Sequence, residues 1–345
     1  MIVKHRGTLT LQSPIATTME GPLDAVRRTT AEVAEVAERV KINRAAISSL
    51  VREGKLREDS VRSLDLSKWD ETDHLDPSQD AHLDDDTRCQ YLFAVDAINF
   101  CFWPDGELEY EHVAGGLKES VRRTGGTCVS SESLAKVTGP ELRGWLSWPR
   151  PLPQERERAR LLNELGGALN AHFGGRASEM VRRAGGSASE LVRLILAHLP
   201  GFRDACVYRG RQVFLYKRAQ ILVGDLYGSF RGQGLGAFRD VGKLTMFADY
   251  RVPVTLLELG VLEYDADLAR RVRAREEIAS GSEEEVEIRA LTVHAVEVIL
   301  EEMREAFEDK ALVPKSIELD WFLWREGENR REVSDPHHRA LTVFY

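Results

Sequence analysis

The sequence SEEEVEIRALTVHAVEVILEEM, residues 282–303, carries the clearest helix pattern in this chain. Ser282 and Glu285 are spaced as in a capping box, where each side chain accepts a hydrogen bond from a backbone amide of the first turn. Apolar residues follow at helical spacing, and the predicted inward face consists of Ile288, Leu291, Ala295, Ile299 and Met303. The stretch therefore predicts a long helix with one buried face.

Further helices are predicted on both sides of this stretch from apolar spacing, caps and terminal glycines. They comprise a helix capped by Thr29 and Glu32, a helix through Leu161, Leu165 and Leu169, a helix capped by Ser187 and Glu190, a buried helix over residues 212–227 and a final helix over residues 315–324. Alternation typical of strands is scarce. The sequence thus predicts a mostly α fold with a single helical domain, residues 23–345, in which an N-terminal portion (23–150) packs on a helical core (151–345). Residues 1–22 form an N-terminal extension to which we assign no role.

Composition narrows the class of protein. With 47 basic and 56 acidic residues the net charge is −9, which argues against tight binding to a nucleic-acid backbone. The cysteines Cys89, Cys101, Cys128 and Cys206 form no Cys-x-x-Cys pair and are typical of free thiols in a reducing compartment. The sequence contains no run of 18 apolar residues, so no membrane span is predicted. Residues 1–18 lack the apolar centre of a secretion signal. We therefore expect a cytoplasmic protein that binds neither a membrane nor a nucleic acid.

The segment from Ser67 to Asp86 is acidic and poor in large apolar residues, which predicts an exposed loop. Its possible metal ligands are His74, Asp76, Asp80, His82 and Asp84. Their spacing fits no known metal site, so we expect none.

The run MFADYRVP, residues 246–253, places Asp249 between Phe247 and Tyr250 and next to Arg251. A carboxylate among aromatic rings can stabilise the sugar cation that forms when a glycosidic bond breaks. The alternative is structural, because an aspartate before Pro253 can also cap the helix that follows. Both interpretations stay open at the level of this run.

A second stretch with two interpretations is residues 91–103, the most aromatic part of the chain. Phe100, Phe102 and Trp103 could sandwich a flat base whose polar edge Asp96 or Asn99 reads. The alternative is a buried strand or turn whose aromatic side chains belong to the core.

Two adjacent cations, Lys217 and Arg218, lie inside an apolar stretch and need anionic partners if they are buried. A ligand phosphate is one candidate partner, and an ion pair with Asp225 or another buried acid is the other. Similarly, Glu318 and Asp320 lie among tryptophans, where they either reach a pocket or remain surface acids beside core rings.

Together these stretches resemble the queuosine-salvage proteins, a family of queuosine 5′-phosphate N-glycosylases. The resemblance covers about Thr29 to Tyr345 and rests on the motifs Asn99–Trp103, Tyr216–Val223, Thr245–Pro253, Glu287–Arg289 and Leu319–Trp324, with His338, Arg339 and Tyr345 at the end. It implies a mostly α-helical fold with a core like that of helix-hairpin-helix DNA glycosylases. It also implies hydrolysis of the N-glycosidic bond of queuosine 5′-monophosphate, which frees the 7-deazaguanine base queuine for salvage into tRNA modification. No metal or organic cofactor is implied.

The resemblance also implies roles for individual residues. Asp249 becomes the catalytic carboxylate, as electrostatic stabiliser, as base for the attacking water or as nucleophile, and Lys217 holds the 5′-phosphate. The implied base and ribose contacts are Asp96, Asn99, Phe100, Phe102, Trp103, Asp225, Tyr250 and Arg251. The cationic amine of queuine is expected to meet Asp225, Glu318 or Asp320.

Two rival functions are compatible with the same features. A DNA-repair-type base glycosylase would share the helical core, although the acidic net charge argues against it. A non-enzymatic carrier of 7-deazaguanine nucleotides would bind the monophosphate without turnover.

Overall fold

A computed structural model describes residues 20–69, 72–76, 78–103 and 105–345 of the protein, so most of the N-terminal extension lies outside it. The described chain is mostly α-helical, as the sequence predicts. Its helices are α1 (Pro22–Val36), α2 (Arg44–Arg52), α3 (Glu58–Ser63), α4 (Asp85–Ile98), α5 (Tyr110–Thr124), α6 (Ser131–Leu134), α7 (Gly139–Trp145), α8 (Glu155–His172), α9 (Ala177–Arg183), α10 (Ala188–His198), α11 (Lys217–Ser229), α12 (Arg251–Glu258), α13 (Ala266–Arg273), α14 (Glu283–Ala306) and α15 (Ser316–Glu328). Its strands are β1 (Val40–Ile42), β2 (Ala205–Tyr208), β3 (Arg211–Phe214) and β4 (Leu262–Tyr264).

The predicted long helix is α14, and it lies at the centre of one of the two main apolar clusters of the core. Ser282 caps it by accepting a hydrogen bond from the backbone amide of Glu285, as predicted. It packs against α1, α2, α12 and α15. Neighbouring elements surround the first half of α14, so even Glu287 and Arg289 are buried there.

Helices α4, α8, α10 and α11 build the other main cluster. Leu161, Leu165 and Leu169 are buried on α8, and Ser187 caps α10 through the amide of Glu190, as predicted. The strands form two separate antiparallel ribbons, β1 with β4 and β2 with β3. In the described part of the chain, none of the helices combines the length and the apolar character that a membrane crossing needs.

Two predicted helix boundaries are wrong. Thr29 does not begin a helix but lies in the middle of α1, where its hydroxyl donates to the carbonyl of Ala25 at 2.8 Å. The chain over residues 212–227 is not one helix, because β3 ends at Phe214 and α11 begins only at Lys217. Between them Tyr216 has a left-handed φ of 50°, which no α-helix accommodates.

The aromatic stretch of residues 91–103 forms the buried helix α4 and the irregular chain after it, rather than a strand. Every residue from Arg88 to Ile98 is buried, so the helix shows little amphipathic period and its sequence pattern was ambiguous.

The prediction of an exposed loop for Ser67–Asp86 is wrong in part. Trp69, His74, Leu75 and Asp80 are buried, although their sequence surroundings are acidic. The Asp80 carboxylate accepts two hydrogen bonds from Arg122, at 2.7 and 3.0 Å, which fastens the segment to α5. Residues 70, 71 and 77 lie outside the described residues.

Candidate active site

A pocket opens where α4 ends and where α11, α15 and the chain before α12 meet. Most of its wall is aromatic, and its charged members are few. The lining residues are Trp69, His74, Asn99, Phe102, Tyr110, Lys217, Ile221, Asp225, Phe247, Asp249, Tyr250, Asp320, Trp321, Trp324, Arg325 and Tyr345. A mainly apolar cleft with a few convergent polar groups is typical of a small-molecule site.

Lys217 is the first residue of α11 and is 4% exposed. Its ammonium group has no hydrogen bond or ion pair to any described residue. Burial lowers the pKa of Lys217, while the nearby carboxylates of Asp249 and Asp96 act in the opposite direction. A buried, unpaired ammonium group is a candidate for an anionic part of a ligand.

Asp249 lies in an irregular segment just before α12. Its Oδ1 accepts hydrogen bonds from the amides of Arg251 and Val252, at 3.1 and 2.9 Å, so it does cap α12. Its Oδ2 has no such partner among the residues that the structure describes. Burial raises the pKa of Asp249 to about 6, and the charge of Lys217 limits that rise. The structural and the pocket-facing interpretations of Asp249 are therefore compatible.

The segment that carries Asp249 is fixed through its backbone by side chains of neighbouring helices. Gln220 on α11 accepts from the amide of Thr245 at 2.9 Å and donates to the Thr245 hydroxyl at 2.9 Å. Asp320 on α15 accepts from the amide of Phe247 at 2.9 Å. Because the held amides of Thr245 and Phe247 belong to the backbone, the segment keeps its shape without regular secondary structure.

A second buried carboxylate, Asp225, lines the pocket two turns along α11 from Lys217. Its Oδ1 accepts from the indole Nε1 of Trp69 at 2.9 Å, and burial raises the pKa of Asp225 to about 7. The ring of His74 packs on that of Trp69, with centroids 4.5 Å apart, and its Nε2 lies 2.9 Å from the Tyr110 hydroxyl. Burial also raises the pKa of Asp320, with the charge of Asp249 as a further cause.

Two glycines of α11 allow aromatic side chains of the pocket wall to pack closely against the helix. A Cβ atom on Gly224 would lie 2.7 Å from Cζ of Phe247. On Gly228 it would lie 2.4 Å from Cγ of Trp69. Both distances are too short for a methyl group, so these rings pack directly on the helix backbone.

Seven of the residues predicted from the sequence line this pocket: Asn99, Phe102, Lys217, Asp225, Asp249, Tyr250 and Asp320. Four others lie outside the lining. Asp96 is fully buried behind Asn99, whose Nδ2 donates to it at 3.3 Å. Phe100 packs beneath the guanidinium groups of Arg158 and Arg218.

The remaining two predicted residues have partners of their own. Trp103 donates through Nε1 to the carbonyl of Ala340 at 3.0 Å, and Arg251 pairs with Glu328 at 2.6 Å. Glu318, one of the acids considered for the amine, pairs with Lys315 and lies outside the lining.

Arg218 does not form the ion pair considered as an alternative, at least within the described chain. Its guanidinium donates to the backbone carbonyls of Asp96, Ala97 and Gly201 and thereby ties α11 to the end of α4. Arg218 and Lys217 are neighbours in sequence, but of the two only Lys217 lines the pocket.

Sequence reasoning missed further members of the pocket, namely Trp69, His74, Tyr110, Ile221, Trp321, Trp324, Arg325 and Tyr345. A tryptophan followed by a histidine within a polar, acidic segment was the available signal for two of them. Such isolated rings in a polar segment indicate a piece of chain that packs on something apolar.

The fold and the site thus define a mostly helical protein with a largely aromatic pocket that contains a few convergent charged groups. The family model described as queuosine salvage protein matches residues 78–345. A relative from Dictyostelium discoideum is 41% identical over 94% of this chain and 99% of its own length. Relatives from Sphaerobacter thermophilus (38% identical, 93% of this chain and 97% of the relative) and Mus musculus (34%, 76% and 83%) are also similar. Each is named queuosine 5′-phosphate N-glycosylase/hydrolase. The chain belongs to the queuosine salvage protein family.

Proposed function

We propose that this protein is an N-glycosylase that hydrolyses queuosine 5′-monophosphate and releases queuine for salvage into tRNA modification. One observation carries the proposal: a buried carboxylate, Asp249, shares an aromatic pocket with the ammonium group of Lys217, which has no partner among the described residues. Relatives that match nearly all of the chain carry the name of this activity, which supports the proposal.

The chemistry required is stabilisation of a cation. As the bond from ribose C1′ to the base breaks, positive charge develops on the sugar, and water adds at C1′ while the base leaves with a proton. A fixed carboxylate in a water-poor pocket stabilises that charge strongly. With a pKa of about 6, Asp249 is ionised near neutral pH. Its backbone hydrogen bonds hold it in place, whether it acts by charge alone, by activating water or as a nucleophile.

Lys217 is proposed to bind the 5′-phosphate, because it is the buried ammonium group of the pocket and lacks a protein partner within the described chain. Asp225 follows Lys217 by eight residues on the same helix, which corresponds to roughly 12 Å along the axis. A nucleotide is about that long from its phosphate to the far edge of its base. We therefore propose that the substrate lies along α11, with its phosphate at Lys217.

The base is proposed to contact Phe102 and Tyr250, with Asn99 at its polar edge. Asp225 is proposed to meet the amine of queuine, since it lies two turns along α11 from the proposed phosphate site and Glu318 lies outside the pocket. Asp96, Phe100, Trp103 and Arg251 are proposed to act through the pocket residues that they adjoin. The reaction needs no metal or cofactor.

A finer description of the fold and setting also belongs to this proposal. The helical core is proposed to share the architecture of helix-hairpin-helix DNA glycosylases, and the protein to work in the cytoplasm. Its substrate is a free nucleotide and not a nucleic acid, as the net charge of −9 favours.

The direct test mixes the purified protein with queuosine 5′-monophosphate and measures free queuine by mass spectrometry, beside an Asp249→Ala variant. Release that is lost in the variant is the expected result. Tight binding without release would indicate the carrier, and release of a base from duplex DNA would indicate a repair enzyme. Either outcome would contradict the proposal.

A further inference from the structure

Arg289 is a buried cation of α14 that the proposed mechanism does not use. Its side chain is 3% exposed, and it does not line the pocket. It belongs to the Glu287-Ile-Arg289 motif, to which the sequence analysis assigns no role. Its contacts nevertheless lead to three separate parts of the pocket wall.

The first contact reaches the segment of the catalytic carboxylate. Arg289 Nε donates to the backbone carbonyl of Ala248 at 3.0 Å, and Ala248 directly precedes Asp249. The second reaches Tyr345, whose ring centroid lies 4.1 Å from the guanidinium carbon of Arg289. Tyr345 itself lines the pocket.

The third contact is the ion pair with Asp204, in which Arg289 Nη1 and Nη2 lie 3.0 and 2.7 Å from the two carboxylate oxygens. Asp204 Oδ2 also accepts from the backbone amide of Lys217 at 3.0 Å. The carbonyl of Asp204 accepts from the amides of Leu215 and Tyr216. Asp204 therefore holds the left-handed turn at Tyr216 from which α11 begins.

We infer that Arg289 is a positioning residue, which fixes the segment of Asp249 relative to the first turn of the Lys217 helix. A guanidinium suits this task because its planar donors can bond two acceptors at fixed angles, which an ammonium group cannot do. The inference rests on the proposed function. If Lys217 holds the phosphate and Asp249 faces the sugar, the Arg289–Asp204 pair sets the distance between the two.

A purely structural role is the alternative, and the chain supplies a matched control for it. Glu287 is fully buried on the same helix, two residues before Arg289. Its carboxylate accepts from the amides of Arg39 and Val40, at 2.7 and 3.0 Å, and from the Tyr208 hydroxyl at 2.7 Å. None of these partners lines the pocket. Glu287→Gln therefore disturbs an equally buried network of α14 without touching the site.

The experiment compares Arg289→Met, Arg289→Lys, Asp204→Asn and Glu287→Gln by kcat, KM and thermal melting with queuosine 5′-monophosphate. Misplacement by about 1 Å can lower a rate roughly a hundredfold, so we expect Arg289→Met to lower kcat by about that factor. Arg289→Lys should recover part of the loss, and KM should change little in both. Glu287→Gln should lower the melting temperature and leave kcat per folded molecule unchanged. Adding Asp204→Asn to Arg289→Met should cause little further loss, because the two residues act as one unit.

Normal kcat in a folded Arg289→Met protein would overturn the inference, and so would an equal loss of kcat in Glu287→Gln. If the methionine variant does not fold, the lysine and Asp204→Asn variants carry the same comparison. A wild-type protein that releases no queuine would instead defeat the proposed function. In that case the positioning role of Arg289 can still be tested by using carbon-13 NMR to monitor the titration of the Asp249 carboxyl. Positioning predicts a shifted midpoint in Arg289→Lys and an unshifted one in Glu287→Gln.

Discussion

Two irregular segments line the same pocket and are held in different ways. Residues 245–250, which carry Asp249, are fixed by side chains of α11, α14 and α15 that bind backbone atoms of the segment. The stretch that carries Trp69 and His74 is also bound at its backbone, where Arg325 and Lys118 donate to carbonyls, but it is held in addition by its own side chains. The Trp69 indole donates to Asp225, and the rings pack against each other.

The difference corresponds to what each segment contributes. A carboxylate that must face a developing charge needs a fixed position, and backbone hydrogen bonds from three helices supply it. Rings that enclose a base contribute mostly contact area, for which close packing is sufficient. We therefore expect changes in the first segment to affect the rate more than changes in the second.

The largest effect is expected for Asp249→Asn, which removes the negative charge and keeps the shape. Queuine release should fall by at least about a hundredfold, since one electrostatic group at a reacting centre contributes that much or more. Asp240→Asn is the control, because Asp240 also accepts from a helix amide, that of Ala188 at 2.6 Å, but lies outside the pocket. Equal rates in the two variants would remove Asp249 from the mechanism.

A somewhat smaller effect is expected for Lys217→Met. Without the ammonium group, kcat/KM for queuosine 5′-monophosphate should fall roughly tenfold to a hundredfold, because a charged hydrogen bond to the phosphate is lost. The bare nucleoside, which has no phosphate, is the internal control and should lose much less. A parallel loss on both substrates would assign Lys217 a structural role.

A smaller and more selective effect is expected at the contact between the second segment and Asp225 of α11. Asp225→Asn should lower kcat/KM for queuosine 5′-monophosphate about tenfold, as one charged contact to the amine is lost. It should leave hydrolysis of 7-deazaguanosine 5′-monophosphate, which has no amine, nearly unchanged. Trp69→Phe removes the donor to Asp225 and should act in the same direction but less. Equal losses on both nucleotides would contradict a role in amine binding.

The smallest expected effect is a shift in the dependence of rate on pH. The pKa of Asp249 in the ligand-free protein is about 6, and its ionised form is the active one, so kcat/KM should decline as the pH falls through about 6. The charge of Lys217 lowers this pKa, so in Lys217→Met the decline should begin at a higher pH. Rate profiles from pH 4.5 to 8 measure both midpoints. Identical midpoints would show that the two groups do not interact.

The same comparison shows what could be predicted from the sequence. Asp249 and Lys217 stand in distinctive local patterns, and both line the pocket, while the roles that the family resemblance implies for them stay predictions. The helices with clear caps and one apolar face, α10 and α14, were also predicted.

The parts that were not predicted depend on contacts between distant residues. Trp69 lies in an acidic segment, and only its packing on α11, more than 150 residues later, makes it part of the pocket. Helix α4 is buried on all sides, which erases the amphipathic period that identifies a helix. Phe100 and Phe102 are two residues apart, and nothing local indicates that only Phe102 faces the pocket.

The two glycines of α11 have a consequence for how the pocket could change in evolution. Alanine in place of glycine normally stabilises a helix by about 1 kcal/mol, so a gain in stability favours that exchange at most positions. At Gly224 and Gly228 the added methyl group would push Phe247 or Trp69 out of place. The width of the pocket therefore depends on the absence of a side chain at Gly224 and Gly228. Relatives that bind bases of a different size are best sought among sequences that vary at these two positions.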